Sequence, residues 1–223
     1  MRIPAWQILL ILVVFPVLYI LNNFTPWSEG LWNNGDRDYY IPFWSSIFIL
    51  HWISALLCLF FISKAGYGIR DLGYSLSLKK TGIALGAYFI IGLVMLALTE
   101  ILTQYQPLSI SPSMDDFYPI TLTERAVWMV MALTAGICEE FVYRGFGITA
   151  LKGKNLPIWL IVILTTLSFI FIHGVAGYYM FPFYAIFGTL MALLFIWRKS
   201  IVPNIIVHAL FDLSAMMAVL GKF

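Results

Sequence analysis

Charged residues are scarce in this chain: they make up 11% of its 223 residues, whereas 61% are hydrophobic. Soluble domains contain about 25% charged and about 45–50% apolar residues. No water-soluble core of this length could bury so much apolar surface, so the composition excludes a soluble globular protein. The formal net charge is only +2, and no basic stripe is present, so we expect no nucleic-acid partner.

Other common features are also missing. The two cysteines, Cys58 and Cys138, both lie in hydrophobic stretches, so a structural disulfide is not expected. No hydrophilic stretch is long enough for a second domain, and we expect a single membrane domain, 1–223. The sequence has no phosphate-binding loop, no dinucleotide fingerprint and no His-Glu-x-x-His zinc helix, which excludes the enzyme classes that depend on them.

Long apolar runs are what the sequence does contain. A membrane-spanning helix needs about 20 mostly apolar residues, and the fifth and seventh runs found here are short. The candidate spans are 4–22, 41–63, 81–104, 124–149, 157–173, 177–197 and 201–219. The sequence therefore predicts an all-α integral membrane protein, a bundle of seven transmembrane helices, or eight if one long segment is broken.

The loops between these spans alternate in charge. Basic residues follow the second, fourth and sixth spans, at Lys64, Arg70, Lys79, Lys80, Lys152, Lys154, Arg198 and Lys199. Acidic residues follow the first and third spans, at Glu29, Asp36, Asp38, Asp115 and Asp116. Because basic loops stay in the cytoplasm, we predict a multi-pass protein with a cytoplasmic amino terminus.

A pair of adjacent carboxylates, Glu139 and Glu140, lies in the middle of the fourth span. An ionisable group in a span costs about 2.5–3.5 kcal/mol on insertion scales and usually marks a functional interior. Arg144 follows Glu140 at i+4, in the favourable acid-first order for a helical ion pair. Glu139 points about 100° away and lacks that partner. We therefore expect one structural carboxylate and one that is free for chemistry.

Two further spans carry polar groups at helical spacing. His173 ends the fifth span, four residues after Phe169, and His208 and Asp212 share a face of the seventh. A histidine can act as a base, a hydrogen-bond donor or a metal ligand. We expect these three spans to surround an intramembrane polar cavity. His51 lies alone in the second span and is interpreted as an interfacial residue outside the site.

These groups suit the activation of a water molecule. A carboxylate can act as the base, a histidine can hold the same water or protonate a leaving amine, and a polar pair can donate to an oxyanion. The combination predicts amide hydrolysis within the membrane. The alternatives are packing and ion pairing without catalysis, or a proton pathway in a transporter. The transporter requires repeat symmetry or paired broken helices, which the sequence does not show.

Three motifs give the set a family resemblance: Glu139-Glu140-x-x-x-Arg144, Phe169-x-x-x-His173 and His208-x-x-x-Asp212. In order and spacing they resemble the signature of the type II CAAX prenyl endopeptidases. The wider CPBP family of intramembrane proteases also includes bacteriocin-processing and bacteriocin-immunity proteins. The resemblance covers the motif core, 124–219, and leads us to expect a bacterial cell membrane as the location.

The resemblance implies a role for each motif residue. It assigns water activation to Glu139 assisted by His173, a supporting ion pair to Glu140 and Arg144, the oxyanion side to His208 and Asp212, and packing below His173 to Phe169. An ionised Asp212 cannot donate a hydrogen bond to an oxyanion. It must therefore be protonated or orient His208 instead, and we expect the second.

The resemblance leaves the cofactor open, because family members are described both as metalloproteases and as metal-independent glutamate proteases. Zinc takes histidine and carboxylate ligands, and Glu139, His173 and His208 would be its ligands here. Because no thiolate is available and Arg144 lies beside the carboxylates, we expect a glutamate endopeptidase without a metal.

The expected partners are the lipid bilayer and a peptide or lipid-modified, prenylated protein that is cut near its carboxyl end. A bacterial source favours peptide processing. The alternative within the family is a non-catalytic immunity or scaffold protein of the same fold.

Helix rise raises one conflict among these residues. It places Glu139 and His208 about 10–20 Å from the cytoplasmic ends of their spans, but His173 about 25 Å along its span. The three can meet only if the fifth span is tilted, broken or begins deeper than Pro157.

Overall fold

The computed structural model describes residues 1–75, 77–104, 118–174 and 180–220. The acidic loop residues Asp115 and Asp116 lie outside this part of the chain. The described helices are α1 (Ala5–Asn22), α2 (Pro26–Asn34), α3 (Tyr40–Lys64), α4 (Leu78–Gln104), α5 (Leu122–Lys152), α6 (Ile158–Phe171), α7 (Phe181–Arg198) and α8 (Ile201–Leu220). Short 3-10 turns precede α3 and follow it, at Arg37–Tyr39 and Ile69–Leu72.

The prediction of an all-α integral membrane protein is confirmed. Each of the seven predicted spans corresponds to a helix, although residues 177–179 of the sixth span lie outside the described part of the chain. Five of these helices (α1, α3, α4, α5 and α7) are long and apolar enough to cross a membrane. The apolar helices Ile158–Phe171 and Ile201–Ser214 are shorter, as the lengths of the fifth and seventh runs indicate. The additional helix α2 has nine residues, too few for an eighth span.

Wide π-helical turns interrupt two of the helices. In α1 the turn Leu10–Val14 precedes Pro16, which has no backbone N–H and whose ring crowds the carbonyl of the preceding turn. In α5 the π segment Glu140–Ile148 begins directly after Glu139. π segments occur frequently at functional sites, and this one lies where the predicted carboxylate pair is found.

The start of α5 is fixed by a charged contact with the first loop. Thr121 and Glu124 form a capping box at the first turn. Arg37 also donates two hydrogen bonds to the Glu124 carboxylate, from Nη2 at 2.6 Å and from Nε at 3.2 Å. This pair ties the segment before α3 to the beginning of the helix that carries both candidate site carboxylates.

Helix α5 lies at the centre and packs against α3, α6, α7 and α8. It packs closely on α8 at Gly136, where an added Cβ would lie 2.9 Å from the backbone nitrogen of Ala209 and 3.1 Å from the carbonyl oxygen of Ile205. Small residues allow such close contacts between membrane helices. Gly136 thus sets the distance between α5 and α8 one turn before Glu139.

The outer helix α4 exposes large apolar side chains, whereas α5 is packed on several sides. Phe89, Ile90, Leu93 and Leu96 are 67–69% exposed. Large apolar patches on a protein surface mark contact with a partner or a membrane, and this face is suited to lipid.

Replacement of Gly136 by alanine is expected to destabilise the protein by about 1–3 kcal/mol, because the new methyl group has to push the α8 backbone away. Gly86→Ala in α4 is the matched control, because nothing lies within 4 Å of its added Cβ. Unfolding in mixed detergent micelles measures both variants. Equal stabilities of the two variants would contradict the close packing of α5 on α8.

Candidate active site

Glu140 is completely buried, and it accepts hydrogen bonds from three side chains. Arg144 donates from Nη1 to Oε1 at 2.8 Å, and His208 donates from Nδ1 to the same oxygen at 2.7 Å. Asn204 donates from Nδ2 to Oε2 at 3.2 Å. The predicted ion pair of Glu140 with Arg144 is therefore present, and both carboxylate oxygens are occupied.

Arg144 is 1% exposed and is held on three sides. Besides Glu140, its guanidinium donates from Nη2 to the carbonyl oxygen of Gly188 at 3.2 Å. Its Cζ also lies 4.5 Å from the centre of the Phe169 ring, a cation–π contact. Phe169 therefore supports Arg144 as well as contacting the ring of His173, with the ring centres 4.9 Å apart.

Glu139 has a partner that the sequence interpretation missed. Its Oε1 lies 2.7 Å from Nε2 of His51 in α3. Its Oε2 is buried and has no hydrogen-bond partner among the described residues. This oxygen lies 3.9 Å from Nε2 of His208. Glu139 thus has one oxygen bonded to His51 and one without a hydrogen-bonding side chain in the described part of the chain, both in the protein interior.

The interpretation of His51 as an interfacial residue is wrong. His51 is 4% exposed, and its Nδ1 lies 2.8 Å from the carbonyl oxygen of Ile47 and 3.0 Å from the hydroxyl of Tyr19. The sequence did hold a signal, because His51 lies in the interior of the run 41–63 rather than at its end. The rule that an ionisable group inside a span marks a functional interior applies to it directly.

His208 faces all three acidic side chains. Its Nδ1 bonds Glu140, while its Nε2 lies 3.9 Å from Oε2 of Glu139 and 3.7 Å from Oδ2 of Asp212. The short hydrogen bond that orients His208 therefore comes from Glu140. The carboxylate of Asp212, for which this role was expected, is farther away, at 3.7 Å from the other ring nitrogen.

His173 lies in the turn that follows α6 and is half-buried. Its Nδ1 donates to the carbonyl oxygen of Phe169 at 2.9 Å, and its ring stacks on Tyr184 with the centres 3.8 Å apart. A carbonyl oxygen can only accept, so Nε2 is the nitrogen that is available for other contacts. His173 interacts electrostatically with Glu139.

The predicted conflict in depth between His173 and Glu139 does not exist. Gly147 of α5 lies against Thr165 of α6, where an added Cβ would be 3.2 Å from Cγ2 of the threonine. Glu139 precedes Gly147 by eight residues, and His173 follows Thr165 by eight residues. In adjacent antiparallel segments, both therefore lie about 12 Å from this contact in the same direction.

His208 lies at the same depth as Glu139 because the first residue of α8 lies farther inside the bundle than the last residue of α5. Gly145 lies beside Ile201, the first residue of α8. Gly145 is seven residues before Lys152, where α5 ends, so α8 starts about 10 Å inside that end. The error came from measuring all spans from a common boundary.

A comparison with protein families identifies this part of the chain. Residues 121–214 match the Rce1-like family. The family is described as type II CAAX prenyl endopeptidase Rce1-like, and the match confirms the resemblance drawn from the three motifs. It supports a CAAX-type intramembrane protease at the level of the family. Comparisons with curated proteins and with solved structures gave no match.

The Rce1-like segment, 121–214, contains all six predicted site residues and also Asn204, which the sequence interpretation passed over. Asn204 is completely buried, and it bonds both Glu140 and the carbonyl oxygen of Met191, the latter at 2.7 Å. It lies one helical turn before His208, so the spacing indicates that both residues share a face of α8. His51 and Tyr19 lie outside the Rce1-like segment.

The side chains around Glu139 were predicted to be the ligands of any bound metal. In the described part of the chain, no three His, Cys, Asp or Glu side chains are placed to share a metal ion. The predicted set of Glu139, His173 and His208 therefore does not form a ligand group in this geometry. The Arg144 guanidinium also occupies the oxygen of Glu140 that faces His208.

The two adjacent carboxylates are expected to differ in their contribution to stability. Glu140→Gln leaves the buried Arg144 without its counter-charge and should destabilise the protein by about 3–5 kcal/mol. Glu139→Gln weakens one hydrogen bond, to His51, and should cost about 1–2 kcal/mol. Unfolding in mixed micelles compares the two variants, and equal losses would contradict the assignment of Glu140 as the structural carboxylate.

Proposed function

We propose that the protein is an intramembrane glutamate endopeptidase that hydrolyses a peptide bond with a water molecule activated by Glu139. The observation that carries the proposal is the contrast between two neighbouring carboxylates. Glu140 has both oxygens occupied, whereas Oε2 of Glu139 is buried, without a hydrogen-bond partner among the described residues, and directed at His208. A buried acceptor of this kind is suited to bind and deprotonate water.

In the proposed reaction Glu139 acts as the base. The water oxygen attacks the scissile carbonyl carbon while one water proton moves to Oε2 of Glu139. His173 assists from the other side, because its Nδ1 is bound to the Phe169 carbonyl and its Nε2 is left to hold the same water. When the tetrahedral intermediate collapses, the carbon–nitrogen bond breaks and the proton held by Glu139 passes to the leaving amine.

His208 is the proposed donor to the oxyanion. Glu140 fixes its ring through Nδ1, so Nε2 is directed towards the gap beside Glu139. A donor that is already oriented stabilises developing charge without reorganisation, which is the basis of oxyanion holes. Asp212 lies 3.7 Å from the same nitrogen and balances the charge of His208 during this step.

The position of the site supports a substrate that enters the membrane. Glu139 lies near the middle of the 31-residue α5, among helices whose outer faces are apolar. A substrate must bring its scissile bond into this layer, so we propose a peptide or lipid-modified protein with an apolar segment next to the cleavage point.

The decisive variant is Glu139→Gln, which keeps the size of the side chain and removes the base. The purified protein is reconstituted in liposomes with a library of apolar peptides, half of them farnesylated near the carboxyl end, and products are identified by mass spectrometry. Wild type should release defined products, and Glu139→Gln should reduce their rate at least about 100-fold. Glu29→Gln, an exposed change in α2, is the matched control.

Two outcomes would contradict this function. Full activity of Glu139→Gln would remove Glu139 as the base. Absence of products from wild-type protein across the whole library would favour the non-catalytic immunity or scaffold role of the same fold.

Metal independence is a separate expectation. Because no group of three ligands is placed to share a metal within the described residues, a strong zinc chelator should leave the cleavage rate within about twofold of its starting value. Elemental analysis of the active protein measures its zinc content in parallel. Loss of activity on chelation, restored by added zinc, would contradict a metal-independent reaction.

A further inference from the structure

The amino-terminal helices contribute a side chain to the candidate site. His51, on α3, lies 2.7 Å from Glu139, and neither His51 nor its neighbour Tyr19 belongs to the segment that matches the Rce1-like family. A catalytic carboxylate needs its direction fixed, and Glu139 has no other hydrogen-bond donor among the described residues. The contact with His51 therefore affects the direction in which the Glu139 carboxylate points.

The hydrogen-bond pattern around His51 restricts where its protons are. The carbonyl oxygen of Ile47 can only accept, so Nδ1 of His51 carries a hydrogen towards it at 2.8 Å. Nε2 is therefore the nitrogen that meets Oε1 of Glu139. One proton is shared across this 2.7 Å contact, donated by the ring to an ionised carboxylate or by the carboxyl group to the ring.

In either arrangement Oε1 is hydrogen-bonded to His51. The carboxyl group therefore cannot rotate to exchange its two oxygens without breaking that bond. The oxygen left over is Oε2, the one that lies 3.9 Å from Nε2 of His208. The contact with His51 thus selects which oxygen of Glu139 faces the other site residues.

The imidazole of His51 is itself held in place. Tyr19 on α1 contacts it edge-on, with the ring centres 5.3 Å apart and the planes at 89°, and the Tyr19 hydroxyl lies 3.0 Å from Nδ1. Both side chains are nearly fully buried. Three helices, α1, α3 and α5, therefore meet in one chain of polar contacts that ends at Glu139.

We infer that His51 is a positioning residue of the site, which holds Oε1 of Glu139 so that Oε2 is presented to the attacking water. The inference rests on the proposed function, in which Glu139 is the base. His51 touches neither the water nor the substrate in this role. It acts through Glu139, and its loss should lower kcat while leaving KM nearly unchanged.

The test compares two amides at this position. In His51→Gln the side-chain nitrogen reaches about as far as Nε2 of histidine and can still donate to Glu139. His51→Asn carries the same amide on a chain one methylene shorter and cannot reach. Comparison of the two variants distinguishes the effect of the hydrogen bond to Glu139 from a general requirement for a buried polar group between α1, α3 and α5.

The kinetic constants are measured in liposomes with the peptide that wild type cuts fastest. His51→Gln should keep kcat within about fivefold of wild type, and His51→Asn should lower it about 10–100-fold, the usual effect of removing a residue that orients a site group. KM should stay within about threefold in both. If the Asn variant does not fold, His51→Leu, which also lacks a donor, takes its place with the same expectation.

Equal kcat values for the Gln variant and for the variant without a donor would overturn the inference, as would a change confined to KM. This failure is distinct from failure of the proposed function. In the first case wild type cleaves, Glu139→Gln is inactive and the His51 variants do not differ. In the second case Glu139→Gln remains active or wild type produces no cleavage.

Discussion

A carboxylate in the interior of a membrane protein is tolerated only when it is paired and hydrogen-bonded, and Glu140 satisfies this requirement by joining three helices. Arg144 comes from its own helix α5, while His208 and Asn204 come from α8. Arg144 then reaches α7 through the carbonyl oxygen of Gly188. Because these bonds form together, α5, α7 and α8 are held in one register, and the ring of His208 is oriented by the same bonds that stabilise Glu140.

The division between the two carboxylates follows from this constraint. Glu140 is bonded through both oxygens to side chains of α5 and α8, so its carboxylate holds these helices together. Glu139, one residue earlier, is hydrogen-bonded to His51 of α3 through Oε1, and its Oε2 lies 3.9 Å from Nε2 of His208. One helical step therefore separates a carboxylate that organises the bundle from one whose second oxygen has no hydrogen-bonding partner among the described residues. The Rce1-like match covers the elements that carry this arrangement except α3 and α1.

The parts of the site that sequence could predict are those within one helix. The pair of Glu140 with Arg144 follows from i,i+4 spacing, and so does the shared face of His208 and Asp212. Contacts between helices were not predictable, because spacing does not tell which faces meet. For this reason the bond of His208 to Glu140 was not expected. His51 was missed although its position inside the second span was a signal in the sequence itself. The spans were predicted well, since long apolar runs determine them directly.

In the proposed reaction Glu139 acts on water as a base and does not attack the substrate itself. A single turnover in ¹⁸O-labelled water, with a peptide that the protein cuts and with enzyme in excess, separates the two mechanisms. Mass spectrometry of the products and of the protein fragment that contains Glu139 locates the label. We expect one ¹⁸O atom in the new carboxylate of the product and none in Glu139. Label in Glu139 with an unlabelled product would contradict it.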